Sequence, residues 1–393
     1  MAKTSKKKCH GWTLYALSFF SLSPMLMMGL AVPLWGVSLG IAPSHLGVIL
    51  SARSFLPLLL SIYGGNLLDQ WGVRRTLQVL AVLSMFIPLL YPVLPFTSAL
   101  ILLELFGGVV TAFVWMCAQT VLGQVAKGDP LYASRFSFAA SMGNLCGPFL
   151  LGLAWGLSGP WAAFGVVAAW GAALTLLVVS CGSSFQGANT HVDYGSRSVL
   201  TTHLTALKTM RDRQVAFVLY TTFIRIAAYT VQASFYVVAL DFVGQGKIQI
   251  GILVGIAGLC SGGFTMLSAS VVRLIGSQEH VLVSGVALAI LSIAVTPAFS
   301  SFTLLLVLAI LHGAGMGLSM PLLLSLLSEA ASSDTQGLAV GLRSTANRLA
   351  GVVIPVGLGA AINMFGITWG FYLIGFLLLV FLWLGWCALK PSQ

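Results

Sequence analysis

Long apolar runs separated by short polar ones make up the whole chain. Crossing a bilayer takes about 20 apolar residues in helical form. Read between charges and turn residues, twelve stretches meet that length: 13–35, 44–64, 77–94, 98–125, 134–157, 160–181, 214–240, 248–272, 280–297, 301–328, 337–363 and 367–388. The connections between spans 5 and 6 (GLSGPW) and between spans 9 and 10 (PAFSS) are short, so tight turns are expected there. Twelve spans in 393 residues leave roughly 33 residues each, a helix and a short loop, with no room for a soluble catalytic domain.

One polar stretch is longer than the rest. It runs over 182–213, from GSSFQGANTHVDYGSRS to KTMRDR, and separates six spans from six. The expected organisation is a tail at 1–12, a six-helix bundle at 13–181, a linker at 182–213, a second bundle at 214–389 and a tail at 390–393. The halves echo each other. Gly47 and Gly72 bracket span 2 as Gly251 and Gly276 bracket span 8, shifted by 204. Pro148 and Gly152 in span 5 match Pro355 and Gly359 in span 11, shifted by 207, and Leu14-Tyr15 matches Leu219-Tyr220, shifted by 205. A near-constant shift points to a duplicated unit. Parallel repeats with a substrate site at their interface recur among secondary transporters.

Composition agrees. Hydrophobic types make up 58% of the chain, charged types 7%, and the mean hydropathy is +0.99, which excludes an ordinary soluble enzyme, a disordered chain and a coiled coil. The six cysteines show no CxxC spacing and none falls in a short outer loop, so neither disulfides nor a cysteine metal site is suggested. The first apolar run is longer than a signal-peptide core and leads into further spans, so a retained helix is expected.

The net charge of +10 would raise nucleic acid as a partner in a soluble chain. Here the basic residues sort by side instead. With the N-terminus in the cytoplasm, fourteen Lys and Arg fall on the inner side and only Lys247 on the outer. That asymmetry sets both termini inside. No nucleic acid is expected, and the lipid bilayer is the surrounding partner.

Span 2 leads into Gly65-Asn66-Leu67-Leu68-Asp69-Gln70-Trp71-Gly72-Val73-Arg74-Arg75-Thr76-Leu77. This resembles the loop signature of the major facilitator superfamily, roughly G-x-L-a-D-r-x-G-r-r-x-x-l. Gln70 and Val73 stand where basic residues are usual. Two glycines permit a tight turn, Asp69 suits a helix end that meets a positive N-terminus or an Arg, and Arg74 faces the inner surface. Span 5 carries Gly143, Gly147 and Pro148, similar to the G-x-x-x-G-P motif of the superfamily's antiporter branches, with its closing glycine pair reduced to Gly152. Spacing of this kind also serves plain helix packing. Many relatives have an Arg in span 4 where this chain has Glu104 before Gly107 and Gly108. The resemblance implies an all-α polytopic membrane protein of the major facilitator fold: two six-helix bundles, related by a pseudo-two-fold axis, that rock around a central cavity. Gly65, Asp69, Gly72, Arg74, Gly143, Gly147 and Pro148 are the expected gating residues.

Charges inside spans are costly, about 2.5–3.5 kcal/mol or more, and mark functional candidates. Arg53 lies in span 2, Arg225 in span 7 and Arg348 in span 11; Arg343, one turn inside span 11, can snorkel to the surface. An Arg presents a planar fork suited to carboxylate or phosphate. The expected substrate site is Arg53, Arg225 and Arg348 with Trp115, Gln119, Tyr229 and Gln232. The alternative for the arginines is neutralisation by Glu104 or bonding to backbone carbonyls. Glu104 and His312 are the intramembrane groups able to change charge, and so the candidates for proton coupling. No phosphate loop, HExxH or GxSxG occurs, so no enzyme and no cofactor are expected. The resulting expectation is a monomeric, proton-coupled secondary active transporter of a small, anionic organic solute in the cytoplasmic (inner) membrane. The rival is a proton-coupled exporter of drug-like or amphipathic compounds.

Overall fold

The computed structural model describes residues 2–126, 130–180, 213–330 and 336–389, with side chains undescribed in 2–10, 61–70, 130, 330 and 336–341. Among the described residues the α-helices are α1 (Ala2–Ser38), α2 (Pro43–Trp71), α3 (Val73–Val93), α4 (Thr97–Ala126), α5 (Pro130–Ser180), α6 (Arg213–Ser234), α7 (Tyr236–Phe242), α8 (Lys247–Ile275), α9 (Gln278–Ala294), α10 (Phe302–Ala330), α11 (Gln336–Phe365) and α12 (Ile367–Leu389). Eleven of these are long and apolar enough to cross a membrane. The 51-residue α5 is two crossings, because Gly159 breaks it with φ 80° and ψ −171°. The short α7 continues α6 beyond Phe235. Twelve crossings result, and both chain ends lie on one face, called here the terminal face; the opposite one is the far face.

Most expected span boundaries hold to within a few residues, with two corrections: α1 begins at Ala2, within the stretch expected to be a tail, and α2 extends past its expected end. Residues 65–71 are not a loop: α2 runs on to Trp71, and Gly72 alone, at φ 77°, turns the chain into α3. Gly65 therefore sits in helix, and the Asp69 side chain falls outside the described residues. The 182–212 part of the linker and residues 390–393 also lie outside them.

The duplication is visible in the backbone. Six glycines adopt positive φ: Gly40, Gly72, Gly159, Gly244, Gly276 and Gly366. They form three pairs, Gly40 with Gly244, Gly72 with Gly276 and Gly159 with Gly366, shifted by 204, 204 and 207. Each pair falls at the corresponding connection in each half, although the turns are not identical: ψ is 144° at Gly72 and 1° at Gly276. An L side chain is strained at positive φ. Helix packing repeats likewise. The α1–α5 contact recurs as α6–α11, and α2–α4 as α8–α10.

The halves meet along two corresponding joints, α2 on α11 and α5 on α8. Gly47 lies against the carbonyl of Pro355 and the Cα of Gly359; Gly251 lies against the carbonyl of Pro148 and the Cα of Gly152. A Cβ at any of these glycines would overlap backbone. These are one joint made twice, from the residues related by shifts of 204 and 207. Gly29 of α1 against Ala233 of α6 adds a third close approach. All three lie in the far half of the bundle, so that end is sealed.

Candidate functional site

Two polar clusters lie inside the bundle. The first belongs to the N-terminal half. Arg53 of α2 donates from Nε to Glu104 Oε2 at 2.7 Å and from Nη2 to Glu104 Oε1 at 2.9 Å. Tyr91 of α3 donates to Glu104 Oε1 at 2.7 Å, and Arg53 Nη1 reaches the Met25 carbonyl at 3.3 Å. Gly108 makes this possible. A Cβ there would overlap the Arg53 backbone, so α4 comes close enough for the carboxylate, 1% exposed, to take the fork of Arg53 on both oxygens. Removing one partner of such a buried pair typically costs about 3–5 kcal/mol.

The second cluster lines a cavity of about 270 Å³ between the halves, on the terminal side of the sealed joints. Arg225, Tyr229 and Gln232 enter it from one face of α6, at the i, i+4, i+7 spacing of a helical stripe. His312, Met316 and Met320 of α10 enter at i, i+4, i+8. Trp115 of α4, stacked at a tilt on Phe136, closes one side, and Ser137, Ser141 and Asn144 of α5 face Ser261 and Thr265 of α8.

Arg225 is 7% exposed. Its Nε donates to Ser319 Oγ and its Nη2 to the Met316 carbonyl, both at 2.8 Å. These bonds hold the side chain against α10 and leave Nη1 without a hydrogen-bond partner among the described residues. Among the described residues the ion pairs are Arg53–Glu104 and Lys247–Asp241, so Arg225 has no carboxylate. Burying a charge is costly unless it is paired, and this one carries its full positive charge into the cavity. Tyr229 shares the cavity wall with Arg225.

His312 is buried, with Nδ1 at 3.0 Å from the Ala289 carbonyl and Nε2 at 3.1 Å from Gln232 Oε1. A neutral imidazole has one donor and one acceptor. Two arrangements satisfy the site: an imidazolium donating to both oxygens, or a neutral ring that accepts from the Gln232 amide turned over. Asn144 Oδ1 is buried at the cavity wall without a hydrogen-bond partner.

The cavity thus gathers Arg225, Tyr229, Gln232, Trp115 and His312. Arg53 and Glu104 bond to each other instead. Gln119 is exposed and Arg348 half-buried, and neither lines the cavity. Of the motif residues, Gly143 lies against the Phe19 carbonyl and Gly147 against Met27 and Ser23, seating α5 on α1, while the Pro148 carbonyl meets Gly251 at the joint. Gly72 makes the α2–α3 turn, with the half-buried Arg74 after it. Sequence reasoning missed Tyr91, Ser319 and the Ala289 carbonyl. A tyrosine or serine in an apolar span carries no signal of its own, and a carbonyl carries none at all. No group of three or more His, Cys, Asp or Glu among the described residues could hold a metal.

Two duplicated helical halves, closed together at one end around a polar cavity, define a secondary transporter. The chain matches the Major Facilitator Superfamily over residues 12–279 and 218–393, and it belongs to that family. It is a transporter and not an enzyme. The crystal structure of the nucleoside transporter NupG is similar, with a TM-score of 0.80, 14% identity, and coverage of 98% of this chain and 100% of that one. The crystal structure of a POT family transporter in complex with a thioalcohol-conjugated peptide gives a TM-score of 0.71 at 13% identity, covering 95% and 94%. One in complex with 5-aminolevulinic acid gives 0.68 at 13%, again covering 95% and 94%. At these identities the likeness is one of fold. No curated protein matches the chain.

Proposed function

We propose that this transporter carries a small organic anion, bound at Arg225, by alternating access across a cytoplasmic membrane. The observation that carries this reading is the unpaired Arg225 guanidinium, fixed by Ser319 and Met316 with Nη1 left free at the cavity wall. Tyr229 and Gln232 add polar groups on the same helix face, and Trp115 offers an apolar wall to the body of the solute. A cationic amphiphile would meet net repulsion there, which disfavours the drug-exporter reading. The fold itself accepts varied small solutes, as the nucleoside and peptide transporters show.

The basic residues favour a cytoplasmic terminal face. With the far-face joints closed, the described conformation is then inward-facing. Coupling to protons runs through His312, which shares Gln232 with the substrate wall. Protonation would add a second positive charge near the anion and turn the Gln232 amide so that its NH₂ faces the cavity. Glu104, held by Arg53 and Tyr91, serves as a fixed counter-charge. Arg53 stays bonded to Glu104 outside the cavity lining, and Arg348 and Gln119 would act in another conformation. Gly72, Arg74 and Asp69 belong to the terminal-face gate, and Gly143, Gly147 and Pro148 to the seat of the far-face seal. One chain supplies both halves of the cavity, so a monomer suffices.

The test is uptake of labelled mono- and dicarboxylates and phosphate esters into proteoliposomes, with and without an inward proton gradient. An anion should accumulate with the wild type and not with Arg225→Ala. Uptake of every anion at the rate of empty liposomes, or undiminished uptake by Arg225→Ala, would refute the proposal.

A further inference from the structure

The N-terminal half brings polar groups of its own to the cavity wall. Ser141 and Asn144 stand one turn apart on α5, at i and i+3 on one helix face, and both line the cavity that Arg225 lines from the C-terminal half. Two glycines of α8 make room for them. A Cβ at Gly262 would stand 1.9 Å from Ser141 Oγ, and one at Gly258 would stand 3.2 Å from Asn144 Cβ.

The two side chains differ in what they leave unmet. Asn144 Oδ1 is buried and unpaired, and nothing among the described residues bonds the Nδ2 of the same amide. A buried amide without partners is costly. Ser141 Oγ donates to the Ser137 carbonyl at 3.0 Å, so its one hydrogen is engaged and it offers the cavity lone pairs alone. Thr265 of α8 is in the same state, its Oγ1 donating to the Ser261 carbonyl at 2.8 Å. An amide donor thus stands beside hydroxyl acceptors, and none of the residues described as lining the cavity is a carboxylate.

We infer that Asn144 and Ser141 form a hydroxyl-binding subsite, and that the solute is a small hydroxy acid. This rests on the reading of the cavity as an anion site at Arg225 and names the second group of that anion. The one free guanidinium nitrogen and one unpaired charge of Arg225 match one carboxylate. A hydroxyl accepts and donates at once, so it can take a hydrogen from the Asn144 amide and give its own to Ser141 Oγ. An ammonium only donates, leaves the amide hydrogens unmet and finds no carboxylate on the wall; a methylene meets neither group. The cavity, at about 270 Å³, is just under the roughly 300 Å³ where drug-sized pockets begin, so one small solute touches both walls. Its carboxylate on α6 and its hydroxyl on α5 bridge the two halves.

The test is a thermal-stability titration of the detergent-purified full chain at constant pH and ionic strength, with butyrate and its 2-, 3- and 4-hydroxy derivatives. The series moves one hydroxyl along a fixed carbon chain. A ligand selective for the folded state raises its stability with concentration, which yields Kd. Pairing a buried amide that is otherwise unmet implies that at least one hydroxybutyrate binds wild type about fivefold or more tighter than butyrate. Asn144→Leu should erase that preference, and Ser141→Ala should lower it in part. The aminobutyrate with its nitrogen on the same carbon should bind more weakly than that hydroxybutyrate. Equal binding of butyrate and all three hydroxybutyrates overturns the inference, as does a preference that survives Asn144→Leu or a tighter aminobutyrate. If Asn144→Leu does not fold, the wild-type series and Ser141→Ala still decide. Anion binding that survives Arg225→Ala, or no anion binding at all, instead overturns the underlying assignment of the cavity.

Discussion

Replacing Gly251 by valine probes the far-face seal. A Cβ at this position would stand 2.5 Å from the Pro148 carbonyl oxygen and 3.1 Å from the Gly152 Cα. An ordinary C···O contact is about 3.3 Å or more, so α5 and α8 would have to part by about 0.8 Å for the Cβ alone, and further for the γ-carbons. Both obstacles are backbone, which cannot swing aside. Overpacking of this kind costs about 1–3 kcal/mol. The cost falls only on the conformation in which the far ends touch. An alternating-access protein therefore shifts by about 5- to 150-fold toward the far-open state. Spin labels at Ser98, at the far-face start of α4, and at Ser301, on the far-face connection before α10, report the distance by pulsed electron resonance after the native cysteines are removed. Gly251→Val should add a longer-distance population and slow transport. Gly47→Val, at the corresponding joint, should do the same. An unchanged distance distribution with wild-type transport in both variants would refute the argument that these crossings form the seal.

Other outcomes follow from the two clusters. Glu104→Gln leaves Arg53 buried with a neutral partner and should destabilise the protein by about 3–5 kcal/mol, seen as a large fall in Tm; Tyr91→Phe should cost less, about 1.5–3 kcal/mol. His312→Gln should abolish accumulation driven by a proton gradient while leaving exchange of internal for external solute intact. Gly366→Ala puts an L side chain at φ 81° and should cost about 1–2 kcal/mol; Gly159→Ala, at φ 80° and ψ −171° in a region reserved for glycine, should cost about 1–3 kcal/mol.

Much of the fold was legible because membrane insertion leaves a coarse signal. Each crossing must be apolar over its full length, and the basic residues sort by side. The duplication was legible at Gly47, Gly72, Pro148 and Gly152 because close crossings and left-handed turns tolerate few other residues. Gly40 with Gly244 and Gly159 with Gly366 escaped notice, since glycine is common throughout this chain and only the backbone angles single them out. The α2 boundary was misjudged because a glycine inside a helix and a glycine in a turn look alike in sequence. In the site, the stripe Arg225, Tyr229 and Gln232 followed from helical spacing. The fate of Arg53 did not. Whether a buried arginine meets Glu104 or open space depends on how closely α2 and α4 approach, which Gly108 decides in three dimensions.

The central claim is that Arg225 presents an unpaired positive charge to the solute. It is tested most directly by thermal-stability titration of wild type and Arg225→Ala against carboxylates and phosphates beside cationic and neutral amphiphiles. The account predicts stabilisation of the wild type by anions, lost in Arg225→Ala. Stabilisation by amphiphiles that persists in Arg225→Ala, with no response to anions, would contradict it.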